Sequence, residues 1–86
     1  MEASTFILIE TQAGKSGDVI TGLKKLAEIR LANLVTGQYD VIAIARVPTL
    51  VDLNPLIDRI QRIAGISKTV TCLVIDNHSI MDTSTL

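Results

Sequence analysis

The 86 residues are 48% hydrophobic and 20% charged, with a formal net charge of −1, one cysteine and one histidine. A chain this short forms one domain at most and buries only about 60–65% of the surface its unfolded form exposes, so help from oligomerisation is in play from the start. Apolar content with interspersed charges excludes disorder across the whole chain, no apolar run reaches the roughly 18 residues of a membrane helix, a lone cysteine excludes an intramolecular disulfide or a cysteine-rich metal site, and eight scattered basic residues make no stripe for direct nucleic-acid binding.

Met1, Glu2, Ala3, Ser4 and Thr5 carry neither the basic nor the apolar part of a secretory signal, and a cytoplasmic location is expected. Residues 5–11 read Thr-Phe-Ile-Leu-Ile-Glu-Thr, dense in β-branched side chains and stopped by Ala13 and Gly14, which predicts a first strand. The period then changes. Val19, Ile20, Leu23, Leu26 and Ala27 recur at three- and four-residue steps with Lys24, Lys25 and Glu28 between them, an amphipathic helix with Ser16 or Asp18 as its cap. A second strand is expected over residues 30–36. Gly37 and Gln38 make the turn, Gly37 supplying the positive φ that such turns commonly need. An aliphatic strand over residues 39–47 ends at Pro48, which cannot donate to a ladder. Leu53, Leu56, Ile57, Ile60 and Ile63 return to helical spacing, with Asp52 or Asn54 as cap, Pro55 in the first turn and Gly65 at the close. Residues 66–75 form the last strand. Residues 77–86 are polar and aperiodic, a tail beyond a domain of residues 1–76.

The order β-α-β-β-α-β is the split βαβ pattern of a ferredoxin-like α+β fold, an antiparallel four-stranded sheet with both helices on one face. Such a sheet should alternate apolar with polar residues along each strand. These strands do not: Phe6 and Leu8 oppose Ile7 and Ile9, Ile42 and Ile44 oppose Val41, Ala43, Ala45 and Val47, and Val70, Cys72 and Val74 oppose Leu73 and Ile75. Four strands about 4.8 Å apart and roughly 20 Å long give a second apolar face on the order of 400 Å², large for the exposed surface of a monomer. The tail is too short and too polar to cover it. The expected solution is a two-fold dimer in which two such faces pack together.

Other chemistry is sparse. His78, the one histidine, lies in the tail with nothing to orient it, and Cys72 sits among Val70 and Val74 in a strand, where a small apolar role outweighs a nucleophilic one. The carboxylates stand singly. Gly14, Lys15, Ser16 and Gly17 lack the remainder of a phosphate-loop signature and its parallel-sheet context. No catalytic residue, metal site or cofactor is predicted.

One constellation is specific. Val35-Thr36-Gly37-Gln38-Tyr39-Asp40 ahead of an aliphatic strand, then Gly65-Ile66, then Thr69-Val70-Thr71 leading into Leu73-Val74-Ile75, closely resembles the ligand-binding (RAM) domain of the Lrp/AsnC transcription regulators over about residues 5–76. Full-length members of that family carry an N-terminal helix-turn-helix domain; no room for one is left here, so the chain looks like a stand-alone effector domain. The resemblance implies a dimeric α/β barrel of opposed sheets, often assembled into an octamer of four dimers, with an amino-acid effector in clefts between dimers and mixed assembly with DNA-binding relatives. It also implies that the ligand's amino and carboxyl groups are held by the loop Thr36, Gly37, Gln38, Tyr39 and Asp40 and by the hydroxyls of Thr69 and Thr71. In that reading Gly37 lets N–H groups approach a carboxylate, Asp40 accepts from an ammonium and Gln38 reads the side chain. Each residue also has a plain structural use: Gly37 as a turn glycine, Asp40 in satisfying turn N–H groups, Tyr39 as an amphipathic packing residue and the threonines as strand formers.

Other functions fit the same element order. An ACT-type amino-acid-binding domain usually pairs its sheets edge to edge and places its ligand glycine after the first strand, where Gly14 stands. A small dimeric α/β-barrel enzyme of the monooxygenase type generally needs aromatic or histidine residues in a pocket between helices and sheet, and both are scarce. A purely structural assembly protein is the remaining alternative. A non-enzymatic regulatory module is the reading preferred here.

Overall fold

Strand and helix alternate in the order that the hydrophobic periods predict. In the computed structural model, which describes residues 2–75, β1 (Ala3–Thr11), α1 (Ser16–Lys24), β2 (Ile29–Leu34), β3 (Val41–Val47), α2 (Leu53–Gln61) and β4 (Ile66–Leu73) follow one another, with a single 3-10 turn (Leu50–Asp52) leading into α2. The expected tail over residues 77–86, His78 included, lies outside the described residues. The strands form one antiparallel sheet in the order β2-β3-β1-β4. Each helical connection therefore crosses one intervening strand, which is the ferredoxin-like α+β arrangement.

Strand register sorts the side chains into rows across the sheet. On one face lie Ile29, Ala45, Thr5 and Leu73; then Ala32, Ala43, Ile7 and Thr71; then Leu34, Val41, Ile9 and Thr69. The core is on this side, where Ile7, Ile9, Val41, Ala43, Ala45 and Val47 meet Val19 and Leu23 of α1 and Leu56 and Ile60 of α2. Both helices thus cover the same face, and each large aliphatic side chain buried there contributes about 1.5–3 kcal/mol. Thr5 is buried among them, its hydroxyl donating to the Cys72 carbonyl at 3.0 Å, so its polar atom costs little.

The other face carries two apolar rows. Leu31, Ile44, Phe6 and Cys72 make one, and Asn33, Ile42, Leu8 and Val70 the other. Phe6 is 42% exposed and Leu31 47%, while Leu8, Ile42, Ile44 and Val70 are half-buried only by one another and their strands. None of these belongs to the core. Polar pairs close the two ends of the patch: Ser4 beside Arg46, which pairs with Glu2 at 3.7 Å, and Glu10 beside Lys68. The aliphatic excess of the composition sits here.

β1 begins at Ala3, two residues earlier than expected, and β4 ends at Leu73, two residues earlier than expected; other differences from the periodicity have local reasons. α1 stops at Lys24, and Lys25 and Leu26 donate to the carbonyls of Gly22 and Leu23 in a tight turn; Leu26 still packs against the core from that turn, which is why it kept helical spacing. The first helix has no side-chain cap: Lys15 holds the capping position and Ser16 is already helical. At α2, Asp52 occupies the cap position while Asn54 is inside the helix, but the Asp52 carboxylate serves the preceding turn, its Oδ2 accepting the Thr49 N–H at 3.1 Å and the Thr49 hydroxyl at 2.9 Å. β2 ends at Leu34 and β3 begins at Val41, so Val35, Thr36, Tyr39 and Asp40 belong to a connecting loop, not to strands.

Both edge strands are bulged. Ser67 of β4 stands unpaired between Lys68, opposite Glu10, and Ile66, opposite Thr11, and its hydroxyl donates to the Glu10 carbonyl at 3.1 Å. Arg30 of β2 is likewise extra, between Ile29 opposite Ala45 and Leu31 opposite Ile44.

Candidate functional site

The loop over residues 35–40 is tied down at its ends and free in its middle. Val35 N–H donates to the Asp40 carbonyl at 2.9 Å, Asp40 N–H to the Ile9 carbonyl at 2.9 Å, and Thr11 N–H to Asp40 Oδ2 at 2.8 Å. Between these anchors Thr36, Gly37 and Gln38 are exposed and Tyr39 is half-buried. Among the described residues their N–H groups find no protein acceptor. Gly37 has φ +122°, and a Cβ built there would meet nothing within 4 Å. The glycine is thus demanded by backbone conformation, not by crowding, and it leaves the space over the loop open. Exposed amides beside a glycine of positive φ can accept an anionic group such as a carboxylate.

The two threonines lie at the same end of the sheet or one step below it. Thr69 shares the row of Ile9 and Val41, so β1 separates it from the end of the loop and its Cα lies about 10 Å from that of Val41, two strand spacings. Its hydroxyl faces α2, where Gln61 Nε2 donates to it at 3.4 Å. Thr71 is one row further from the loop and exposed. Among the described residues no hydrogen bond joins the loop to either threonine. Two residues not among the expected site residues border this end of the sheet: Gln61, a polar residue closing α2, and Thr11, whose backbone and not its side chain does the work.

Charge elsewhere is dispersed. Arg59 Nη2 and Glu28 Oε2 pair at 2.7 Å between α2 and the turn before β2, and donation from Arg59, reinforced by the Glu28 N–H, holds the Glu28 carboxyl below its ordinary value of 4.5 although partial desolvation opposes it. No group of three potential metal-ligating side chains occurs among the described residues. A cleft of about 330 Å³ lies at the opposite end of the sheet from the loop, lined by Glu2, Ala3, Thr49, Leu50, Leu73 and Val74. Its walls are mostly apolar and offer no pairing of donors and acceptors for a zwitterion, so the loop end is the better candidate site.

The chain is a small ferredoxin-like α+β domain with a polar, glycine-kinked loop between β2 and β3. The chain belongs to the Lrp/AsnC ligand binding domain family, whose model matches residues 4–83. It is 37% identical over 73 residues to the HTH-type transcriptional regulator FL11 of Pyrococcus abyssi, taking in 85% of this chain and 48% of that protein. The chain therefore spans about half the length of the curated relatives it matches. The crystal structure of FFRP-DM1 aligns with a TM-score of 0.81 at 35% identity, over 85% of this chain and 99% of that one. In fold alone, the transcriptional regulator NMB0573 of Neisseria meningitidis, crystallised as an L-Met complex, aligns with a TM-score of 0.80 at 16% identity, over 91% of this chain and 53% of that one. The curated relatives are named as transcriptional regulators.

Proposed function

We propose that this chain is an amino-acid-binding regulatory module that acts through self-association. The observation that carries the reading is the loop over residues 35–40, anchored at Val35 and Asp40, with the amides of Thr36, Gly37, Gln38 and Tyr39 unengaged among the described residues. A free carboxylate supplies the acceptors those amides lack, and the hydroxyls of Thr69 and Thr71 stand beyond β1 on β4, two strands from the loop's end. Gln38, at the exposed tip, is the residue placed to meet the ligand's side chain. The bound amino acid shifts the assembly by its difference in affinity between assembly states and by nothing else.

The unit of assembly in this proposal is a homodimer built on the two apolar rows around Ile44 and Leu8, whose polar ends resemble the rim of an interface. Dimers join further, up to four in a ring, with the effector between them. Mixed assemblies with DNA-binding relatives are the route to transcription, and the setting is the cytoplasm. Among the described residues no helix is long and apolar enough to cross a membrane.

Calorimetry against the twenty amino acids at millimolar concentration tests the ligand. L-Met is the first probe, because a regulator of this fold was crystallised with it. Heat from one or a few amino acids, lost on replacing Gly37 by valine, is the expected result; no heat from any of them overturns effector binding.

A further inference from the structure

Asp40 is engaged three times over. Its carbonyl accepts Val35 N–H and closes the loop, its own N–H reaches the Ile9 carbonyl, and its Oδ2 accepts Thr11 N–H at 2.8 Å. A hydrogen bond to an ionised oxygen is roughly twice as strong as a neutral one. Thr11 is the last residue of β1 and lies where β4 bulges at Ser67. The next residue, Gln12, donates its N–H to the Gly65 carbonyl at 2.7 Å, and Lys15 N–H returns to the Gln12 carbonyl at 3.0 Å. Gly65 has φ +99°, and a Cβ there would come within 2.8 Å of Lys15 Cβ. This corner is tightly packed, while among the described residues no backbone bond holds the segment from Thr36 to Tyr39.

We propose that Asp40 is a positioning residue that clamps the β2–β3 loop to the bulged corner at Thr11, Gln12 and Gly65, its carboxylate committed to backbone instead of to a ligand ammonium. Loop and corner then open and close as one unit, so an occupant of the loop is felt at the end of β1 and at the start of β4 and α1. The inference rests on reading residues 36–39 as the ligand segment.

Asparagine separates the clamp from an ammonium site. With its amide oxygen toward Thr11 N–H it keeps the clamp, but it puts an NH₂ donor where an ammonium would need the second carboxylate oxygen. Amide hydrogen exchange on the full chain, with calorimetry using L-Met as probe, is the test. Asp40→Asn should leave exchange at Thr11, Gln12 and Val35 within about threefold of the parent, and Asp40→Ala should speed all three by roughly tenfold or more while Val41 and Ala43 stay protected. L-Met affinity should follow the same split. Faster exchange at Thr11 alone in Asp40→Ala overturns the clamp; Asp40→Asn losing L-Met as badly as Asp40→Ala with exchange intact shows that the carboxylate meets the ligand. Should Asp40→Ala not fold, Asp40→Glu takes its place: moving the oxygens by one methylene must speed the same three amides, and parent-like exchange overturns the clamp. If the parent binds no amino acid, the ligand reading fails and the exchange results alone decide the clamp.

Discussion

Replacing Ile44 with glutamate tests the free face of the sheet without touching the core. Ile44 sits between Leu31 and Phe6 in the middle of an apolar row and packs against none of the buried residues. In a single chain its side chain borders solvent, so the substitution costs at most about 1 kcal/mol of folding stability. In a face-to-face dimer, two-fold symmetry buries the new carboxylate twice with no partner, at several kcal/mol each. Two faces on the order of 400 Å² each contribute about 20 kcal/mol gross at 25 cal/mol per Å², from which association itself removes about 4–15 kcal/mol. A penalty of at least about 6 kcal/mol is comparable to what is left and weakens association by about 10⁴-fold or more. Light scattering at micromolar concentration should give the mass of two chains for the parent and of one for Ile44→Glu, with thermal melting as the control for folding. A folded variant that keeps the dimer mass refutes the reasoning, as does a parent protein with the mass of one chain.

Gly65→Ala combines a left-handed backbone at φ +99° with Cβ approaches of 2.8 Å to Lys15 and 3.2 Å to Val19, and should cost about 2–4 kcal/mol in urea unfolding; a loss under about 0.5 kcal/mol would contradict the packing described. Glu28 titrates below its ordinary value because of Arg59, so the stability from this pair is present above the unfolded carboxyl's range and is lost as pH falls through the lowered value. Arg59→Gln should therefore cost at most about 1 kcal/mol at pH 7, given that the Arg59 side chain is 44% exposed, and the gap from the parent should close on acidification below 4.5; a gap that widens in acid reverses the sign argument. Cys72 is exposed in the single chain and lies in the row of Phe6 and Ile44. Its alkylation by iodoacetamide should slow as protein concentration rises through the dimer's dissociation constant and should recover in Ile44→Glu; a rate independent of concentration counts against burial of this face.

The sequence carried the order of elements because periods of two and of three to four change sharply at Gly14, Pro48 and Gly65. It carried the two-faced sheet because Ile7 and Ile9 alternate with Phe6 and Leu8 in a strand of either register. What it could not carry is where hydrogen bonds, and not hydrophobicity, decide the chain's path. Tyr39 and Asp40 read as strand because they precede an aliphatic run, yet Asp40 spends its N–H, carbonyl and side chain on closing a loop and holding the end of β1. Leu26 kept helical spacing from a turn, and Thr49, which engages the Asp52 carboxylate, left no mark in the apolar pattern. The resemblance singles out residues 36–40 as a set; the division into an anchored Asp40 and the segment before it is visible only in the hydrogen bonds.

The bulges at Ser67 and Arg30 bear on how growth of an assembly stops. A flat sheet edge offers unpaired amides and carbonyls to any other edge, and edge-on addition repeats without limit into filaments. Here each outer strand is interrupted near one end by an extra residue that bends and twists it, which makes continued edge pairing unfavourable. Stacking face on face uses up its surface in a single step. In the face-to-face assembly proposed above, edges that resist addition would leave particles of finite size.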